Sequence, residues 1–197
     1  MKEKFSAVIL AAGSSGRMRH HKALLPFDPQ RCFARKLADD FFAFGCSQVI
    51  MVTNQMVFDE IKCRKIDLGN LDFAVNSHPD WGRFYSLSLG CERVAADSHV
   101  FVTNVDNPFV NQQTLKKLWA NKSTADYVCP AFERKGGHPI LISPKVVEAI
   151  SNERNNQINL KEFLNRFSKQ YIDVDDRHVL TNINTLNDYK ILFDGLI

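Results

Sequence analysis

A chain of 197 residues, 45% apolar and 24% charged, has the length and composition of one soluble globular domain, expected to span residues 1–197. A net charge of +3 with scattered Lys and Arg argues against a nucleic-acid partner, and no stretch approaches the ~20 apolar residues of a membrane span. Five widely spaced cysteines (Cys32, Cys46, Cys63, Cys91, Cys129) without a CxxC pair exclude a disulfide framework and a structural zinc site; with MKEKF in place of a signal peptide, they point to the cytoplasm.

Ser6–Leu10 reads as a buried strand that stops at Ala11-Ala12-Gly13-Ser14-Ser15-Gly16, where bulky side chains vanish. Small residues admit a close ligand, and successive N–H groups in such a loop form an anion-binding concavity. Arg17 and Lys22 follow as cations able to reach a polyphosphate. The loop is neither GxxxxGK[ST], since Arg17 follows Gly16, nor GxGxxG, since Ser15 takes the second glycine position. A glycine-rich turn is the competing reading; Arg17, Lys22 and the closing Leu24-Leu25-Pro26-Phe27 favour a nucleotide site.

Cys32 to Phe44 predicts a helix with Phe33, Leu37, Phe41 and Phe44 on one face, ended by Gly45. A strand at Gln48–Thr53, a short helix at Met56–Cys63, a strand at Phe73–Asn76 and a helix at Ser86–Ala96 follow. Val100–Val105 is an apolar strand ending at Asp106, and Asn111–Ala120 a helix. Strands at Tyr127–Pro130 and Pro139–Ile142, helices at Lys145–Ile150 and Leu160–Phe167, a strand at Tyr171–Val174 and a helix at Leu186–Phe193 complete the chain. This alternation predicts a three-layer α/β/α domain with a mostly parallel sheet and right-handed crossovers. Ligands in such sheets sit outside the carboxyl ends of strands, which puts the Gly13–Arg17 loop and Asp106 on one rim.

Four segments carry candidate chemistry. Asp106, at the mouth of a buried strand, is a candidate Mg2+ ligand facing a triphosphate, or a turn-initiating Asp before Asn107-Pro108. Asn182 and Asn184 share a face if Thr181–Thr185 is extended, while Asn184 or Thr185 can instead cap the last helix. His78 to Ser88 is rich in polar and aromatic groups, and Ser86 can cap the helix that follows. Gly136-Gly137-His138-Pro139 is a tight turn or a pocket wall. Asp173-Val174-Asp175-Asp176 reads as a solvated turn, and His20, His21, His78, His99 and His178 form no zinc motif.

The stretch from Leu10 to Met18, with Lys22-Ala23-Leu24-Leu25, resembles the LAAGxSxRMGxxKxLL signature of molybdenum cofactor and sugar-phosphate nucleotidyltransferases. It is most like the molybdopterin cytidylyltransferase branch, although Arg19 replaces the glycine after Met. The resemblance implies a Rossmann-like nucleotidyltransferase fold. It puts Leu10, Ala11, Ala12, Gly13, Ser14, Ser15, Gly16 and Arg17 on the nucleotide, with Lys22 bridging phosphate and developing charge. Val105–Val110 resembles the family's D-x-P-[FL]-[VI] motif, which makes Asp106 the metal-holding acid. Thr181–Thr185 is similar to [DN]-[IFV]-[DN]-T-P-E-D, with Leu186 and Asn187 replacing Pro-Glu; it implies Asn182 as metal ligand and Asn184 as a supporting contact to the acceptor.

Asn76 to Leu87 is similar to N-x-x-W-x-x-G-x-x-x-S-L, which implies Gly82, Arg83 and Ser86 at base and ribose, and R-G-[NH]-P implies His138 at the acceptor. Lys22, Arg17 and Asp106 form the implied catalytic set. The implied reaction couples a nucleoside triphosphate, CTP on the strength of Ala12, to a phosphorylated acceptor, molybdopterin first, with release of pyrophosphate. The two-asparagine motif points instead to the guanylyl branch. Sugar- or polyol-phosphate cytidylyl transfer and a catalytically silent nucleotide-binding regulator stay open. A molybdoenzyme or its chaperone is an implied partner, and a monomer or homodimer the expected state.

Overall fold

The structure, a computed structural model, describes residues 4–13 and 20–193. Ser14, Ser15, Gly16, Arg17 and Arg19 of the expected phosphate loop lie outside the described residues. Four apolar runs build the sheet's centre: β1 (Phe5–Ala11), β2 (Gln48–Asn54), β3 (Asp72–Asn76) and β4 (His99–Asn104). All pair in parallel, in the order β3-β2-β1-β4.

Both faces of these strands are covered. Ala7, Ile9 and Ala11 of β1 pack on α1 (Phe33–Phe44), whose Phe33, Leu37 and Phe41 are completely buried, and on α4 (Gln112–Ala120) through Leu115 and Leu118. Val8 and Leu10 point the other way, onto Phe84 and Leu87 of α3 (Arg83–Cys91) and Val146 and Ile150 of α5 (Pro144–Asn152). Each such side chain removed from water contributes about 1.5–3 kcal/mol, so strand alternation decides the layering. The three-layer α/β/α, mostly parallel architecture expected of the sequence is the one observed.

The far half of the sheet breaks the parallel rule. β5 (Tyr127–Phe132) pairs antiparallel with β6 (Lys135–Gly136) and β7 (Ile140–Ile142) on one edge and parallel with β8 (Lys169–Asp173) on the other. β7 also runs antiparallel to β4, so it joins the two halves. The remaining helices are α2 (Gln55–Cys63), α6 (Leu160–Leu164) and α7 (Leu186–Leu192). Among the described residues no helix is long and apolar enough to cross a membrane.

One local reading needs correction, and one open choice is decided. The helix predicted at Ser86–Ala96 is α3, starting a turn earlier at Arg83, because Gly82 at φ +90° ends the preceding 3₁₀ turn and releases the chain there. Ser86 is therefore inside the helix rather than its cap. At the last helix, Thr185 is the cap, in a reciprocal capping box with Asp188, which leaves the Asn184 side chain available for other contacts.

Candidate functional site

At the carboxyl ends of β1 and β4, Leu10, Ala11, Ala12 and Gly13 form one wall of a cleft of about 170 Å³. Lys22, Arg83, Ser86, Asn104 and Asp106 complete it. Each arrives from a different element. Lys22 opens a 3₁₀ turn (Lys22–Leu24) held down by the buried Ala23 and Leu25. The carbonyl of Pro26 just beyond accepts from the Tyr189 hydroxyl of α7 at 2.6 Å, tying this segment to the last helix.

Asp106 sits two residues beyond β4. Val105 N–H donates to the Leu10 carbonyl at 3.0 Å, and the Asp106 carbonyl accepts from Ile183 N–H at 2.8 Å. Ile183 is fully buried, so this bond brings the 181–185 segment alongside Asp106. The buried Asn107 reinforces the turn by donating its amide to the carbonyls of His178 and Val179 at 3.2 and 3.1 Å. Lys36, buried in α1, donates to the Pro108 and Val110 carbonyls at 2.6 and 3.0 Å and so fixes the chain on the other side.

These ties produce a charged triangle. Lys22 Nζ donates to Asp106 Oδ2 at 3.2 Å and to Asn184 Oδ1 at 3.0 Å, across 84 and 162 residues of sequence. Asp106 Oδ1 is buried and has no hydrogen-bond partner among the described residues. A buried, unpartnered carboxylate oxygen is costly unless a cation or donor reaches it. A hard divalent cation takes oxygen ligands, typically one or two carboxylates with phosphate oxygens and water. Asp106 Oδ1 and Asn184 Oδ1 fit such an ion. Among the described residues there is no cluster of three His, Cys, Asp or Glu, so further ligands would come from a substrate and water.

Asn182 does not join this triangle. It is exposed, and its amide reaches only the Leu180 carbonyl at 3.5 Å. The expected alternation put both asparagines on one face; the structure puts Asn184 rather than Asn182 against Lys22. Gly82 is likewise absent from the cleft wall: its positive φ serves the turn that delivers Arg83. Ser86 lines the cleft, with its hydroxyl accepting from the Asn76 amide at 2.9 Å.

A second cleft of about 330 Å³ adjoins the first, sharing Leu10, Arg83 and Asn104 with it. His138 lies on its wall, where its Nε2 accepts from the Asn104 side-chain amide at 3.2 Å. Burial is the main influence on that ring and holds its pKa below the usual histidine value, against the pull of Asp106. Burial thus favours the neutral form of the His138 imidazole, a hydrogen-bonding wall rather than a positive charge for phosphate. Gly137 beside it approaches the Val179 backbone so closely that a Cβ would stand 2.2 Å from the Val179 carbonyl oxygen.

Asn104, Asn107 and Lys36 escaped the sequence reading. Asn104 had a usable signal, a polar residue closing the apolar alternation of a strand whose end carries Asp106. Lys36 had none, because a lysine in an amphipathic helix is ordinarily a solvated residue. Asp176, read as part of a solvated turn, caps a 3₁₀ turn by accepting from His178 N–H at 2.9 Å and also accepts from the Asn111 amide.

The match to a protein family covers residues 7–172: the chain belongs to the MobA-like NTP transferase domain family. Comparison with curated proteins returned no match. Among solved structures, Rv0371c from Mycobacterium tuberculosis H37Rv superposes with a TM-score of 0.82 at 20% identity over 98% of each chain. Its complex with manganese gives 0.76 at 20% identity over 98% of this chain and 99% of that one. Molybdopterin-guanine dinucleotide biosynthesis protein A from Archaeoglobus fulgidus gives 0.71 at 17% identity over 95% and 96%. Likeness at these identities concerns the fold.

Proposed function

We propose that this chain is a single-domain nucleotidyltransferase that joins a nucleoside monophosphate unit to a phosphorylated small molecule. The observation that carries the reading is the Lys22, Asp106 and Asn184 triangle, with an orphaned Asp106 oxygen, set against the Leu10 to Gly13 backbone in one cleft.

A phosphate oxygen of the acceptor attacks the α-phosphorus of the triphosphate; the bond from that phosphorus to the β-bridging oxygen breaks, and pyrophosphate leaves with the electron pair. The protein's task is positioning and charge neutralisation. Backbone N–H groups after β1 hold the phosphates, Lys22 with Arg17 neutralises the leaving pyrophosphate, and Arg83, at the junction of the two clefts, orients the incoming phosphate. Asp106 and Asn184 would hold a divalent cation, Mg2+ in this reading; the manganese complex of Rv0371c supports a divalent ion of this kind. Bound there, the ion would supply Lewis-acid polarisation of phosphoryl oxygens. The second cleft, with His138, receives the body of the acceptor.

Ala12, buried on the cleft wall, favours CTP by the family resemblance, in which an alanine here goes with cytidine and a glycine with guanosine. Molybdopterin is the first acceptor to test. The assay is pyrophosphate release with each of four triphosphates and Mg2+ against phosphorylated acceptors including molybdopterin. CTP-dependent release supports the reading, and GTP-dependent release transfers it to the guanylyl branch. Binding without release in every combination would favour the silent regulator. Asn184→Ala is expected to lower the rate about 10²-fold while Asn182→Ala stays near wild type; the reverse order would return the metal role to Asn182.

A further inference from the structure

The second cleft has a chemistry of its own. Its floor is apolar and buried, formed by Val102, Cys129, Ile140 and Leu164. Three cations line it: Arg83, which it shares with the first cleft, and Lys161 and Lys169, which line this cleft alone. No acid lines this cleft among the described residues. Several cations elsewhere are matched: Arg31 to Asp28, Arg35 to Asp39, Arg64 to Glu60, Lys145 to Asp126 and Arg166 to Glu153, each at 2.7–2.9 Å. A cation-only wall above an apolar floor is complementary to an anion attached to an apolar body.

Tyr171 sharpens this. Lys169 Nζ donates to the Tyr171 hydroxyl oxygen at 2.7 Å and lies 4.4 Å from the centre of its ring. A phenol that accepts from an ammonium keeps its own O–H for another acceptor, so the pair offers an incoming anion donors of two kinds. The ring is seated over Gly136, where a Cβ would come 2.6 Å from Tyr171 Cε1. It is nevertheless 46% exposed on the wall of the cleft.

From this arrangement we infer that the acceptor carries, besides the phosphate that reacts, a second anionic group at the far end of an apolar or planar body, received by Lys161, Lys169 and the Tyr171 hydroxyl. The inference rests on the transferase reading, which puts the reacting phosphate at the Arg83 and Asp106 end. A cleft of about 330 Å³ is larger than a phosphate alone needs.

Two probes isolate the second anion: phenyl phosphate, and 4-carboxyphenyl phosphate, which adds a carboxylate across the ring. Their affinities for the full chain are measured by calorimetry with Mg2+ present. The carboxylated probe is expected to bind about tenfold tighter, the worth of a charge-assisted hydrogen bond. Lys161→Ala/Lys169→Ala should erase that advantage and leave phenyl phosphate binding as it was. Tyr171→Phe, which keeps the ring, should remove part of it. Equal affinities in the wild type, an advantage that survives the double variant, or no binding of either probe each overturns the inference. Mg2+-dependent thermal stabilisation by CTP or GTP is measured in parallel. If a nucleotide binds and the carboxylate makes no difference, only the second anion is refuted; if none binds, the transferase reading fails and takes the inference with it.

Discussion

Replacing Lys36 with methionine keeps a long apolar stem and removes only the ammonium, so its effect measures what that charge does for the turn after Asp106. Lys36 forms a close ion pair with Asp40 at 2.6 Å in addition to its two carbonyl contacts. Burial pushes the Lys36 pKa down and the Asp40 pKa up, and in each case outweighs the mutual attraction. The ion pair alone is therefore no source of net stability, as is common for buried pairs. The two carbonyls are different, since their groups are buried whatever the side chain at 36, and each costs about 1–3 kcal/mol when left unpaired. Adding an unpaired Asp40 carboxylate and subtracting the relief of no longer burying the ammonium leaves a loss of about 3 kcal/mol for Lys36→Met.

Lys36→Met/Asp40→Leu should recover about 1 kcal/mol of that, the carboxylate's share, and no more. Equilibrium urea unfolding near neutral pH reads both values. A single variant within about 0.5 kcal/mol of wild type, the range of ordinary surface changes, refutes the argument. So does a double variant as stable as wild type, which would mean the carbonyls find other partners. Because Pro108 and Val110 lie two and four residues beyond Asp106, Lys36→Met should also weaken Mn2+ binding at the proposed site.

Two further outcomes follow from the wall beside His138. That ring is buried neutral, so its folded pKa lies below the ordinary value of about 6.5 and the unfolded chain binds the extra proton. Stability should fall as pH drops from about 6.5 toward the folded value, and His138→Gln should flatten that part of the urea-midpoint profile; an unchanged slope would show the ring titrating normally. Gly137→Ala forces a Cβ to 2.2 Å from a backbone oxygen and should cost about 2 kcal/mol, seen as a lowered melting midpoint. Gly13→Ala meets nothing within 4 Å among the described residues and should melt like wild type; equal midpoints for the two variants would refute the close approach.

The parallel core was legible because each of its strands is an apolar run bounded by turn residues, and hydrophobic period alone separates it from the Phe33, Leu37 and Phe41 helix. Boundaries were less so. Ser86 looked like a cap because serine usually is one, but the positive φ of Gly82 starts the helix earlier, a backbone property no side-chain pattern reports. Of the site, the Leu10 to Gly13 wall, Lys22 and Asp106 were legible from local composition and motif. The choice between Asn182 and Asn184 was not. It depends on a hydrogen bond from Ile183 to the Asp106 carbonyl, a contact 77 residues away in sequence that fixes which side chain turns inward.

The antiparallel β7 was also beyond reach, and it matters most to the site. Between the pairs Val128 with Leu141 and Ala131 with Gly136, the 136–141 arm is two residues longer than the stretch of β5 it faces. That excess accommodates the Gly137 to Pro139 segment and carries His138 across to Asn104 at the end of β4. A continued parallel order would have left one crevice at the rim, since a helical crossover would lie on the sheet's face. The antiparallel insertion instead opens a second cleft that shares Arg83 and Asn104 with the first. The proposed nucleotidyl transfer would have to hold two phosphorylated molecules with their reacting atoms in line, and two adjoining clefts that share a cationic side chain suit that requirement. The local exception to the parallel rule is thus the feature most closely bound up with a two-substrate site, and strand-by-strand hydrophobicity carries no signal of strand direction by which it could have been read.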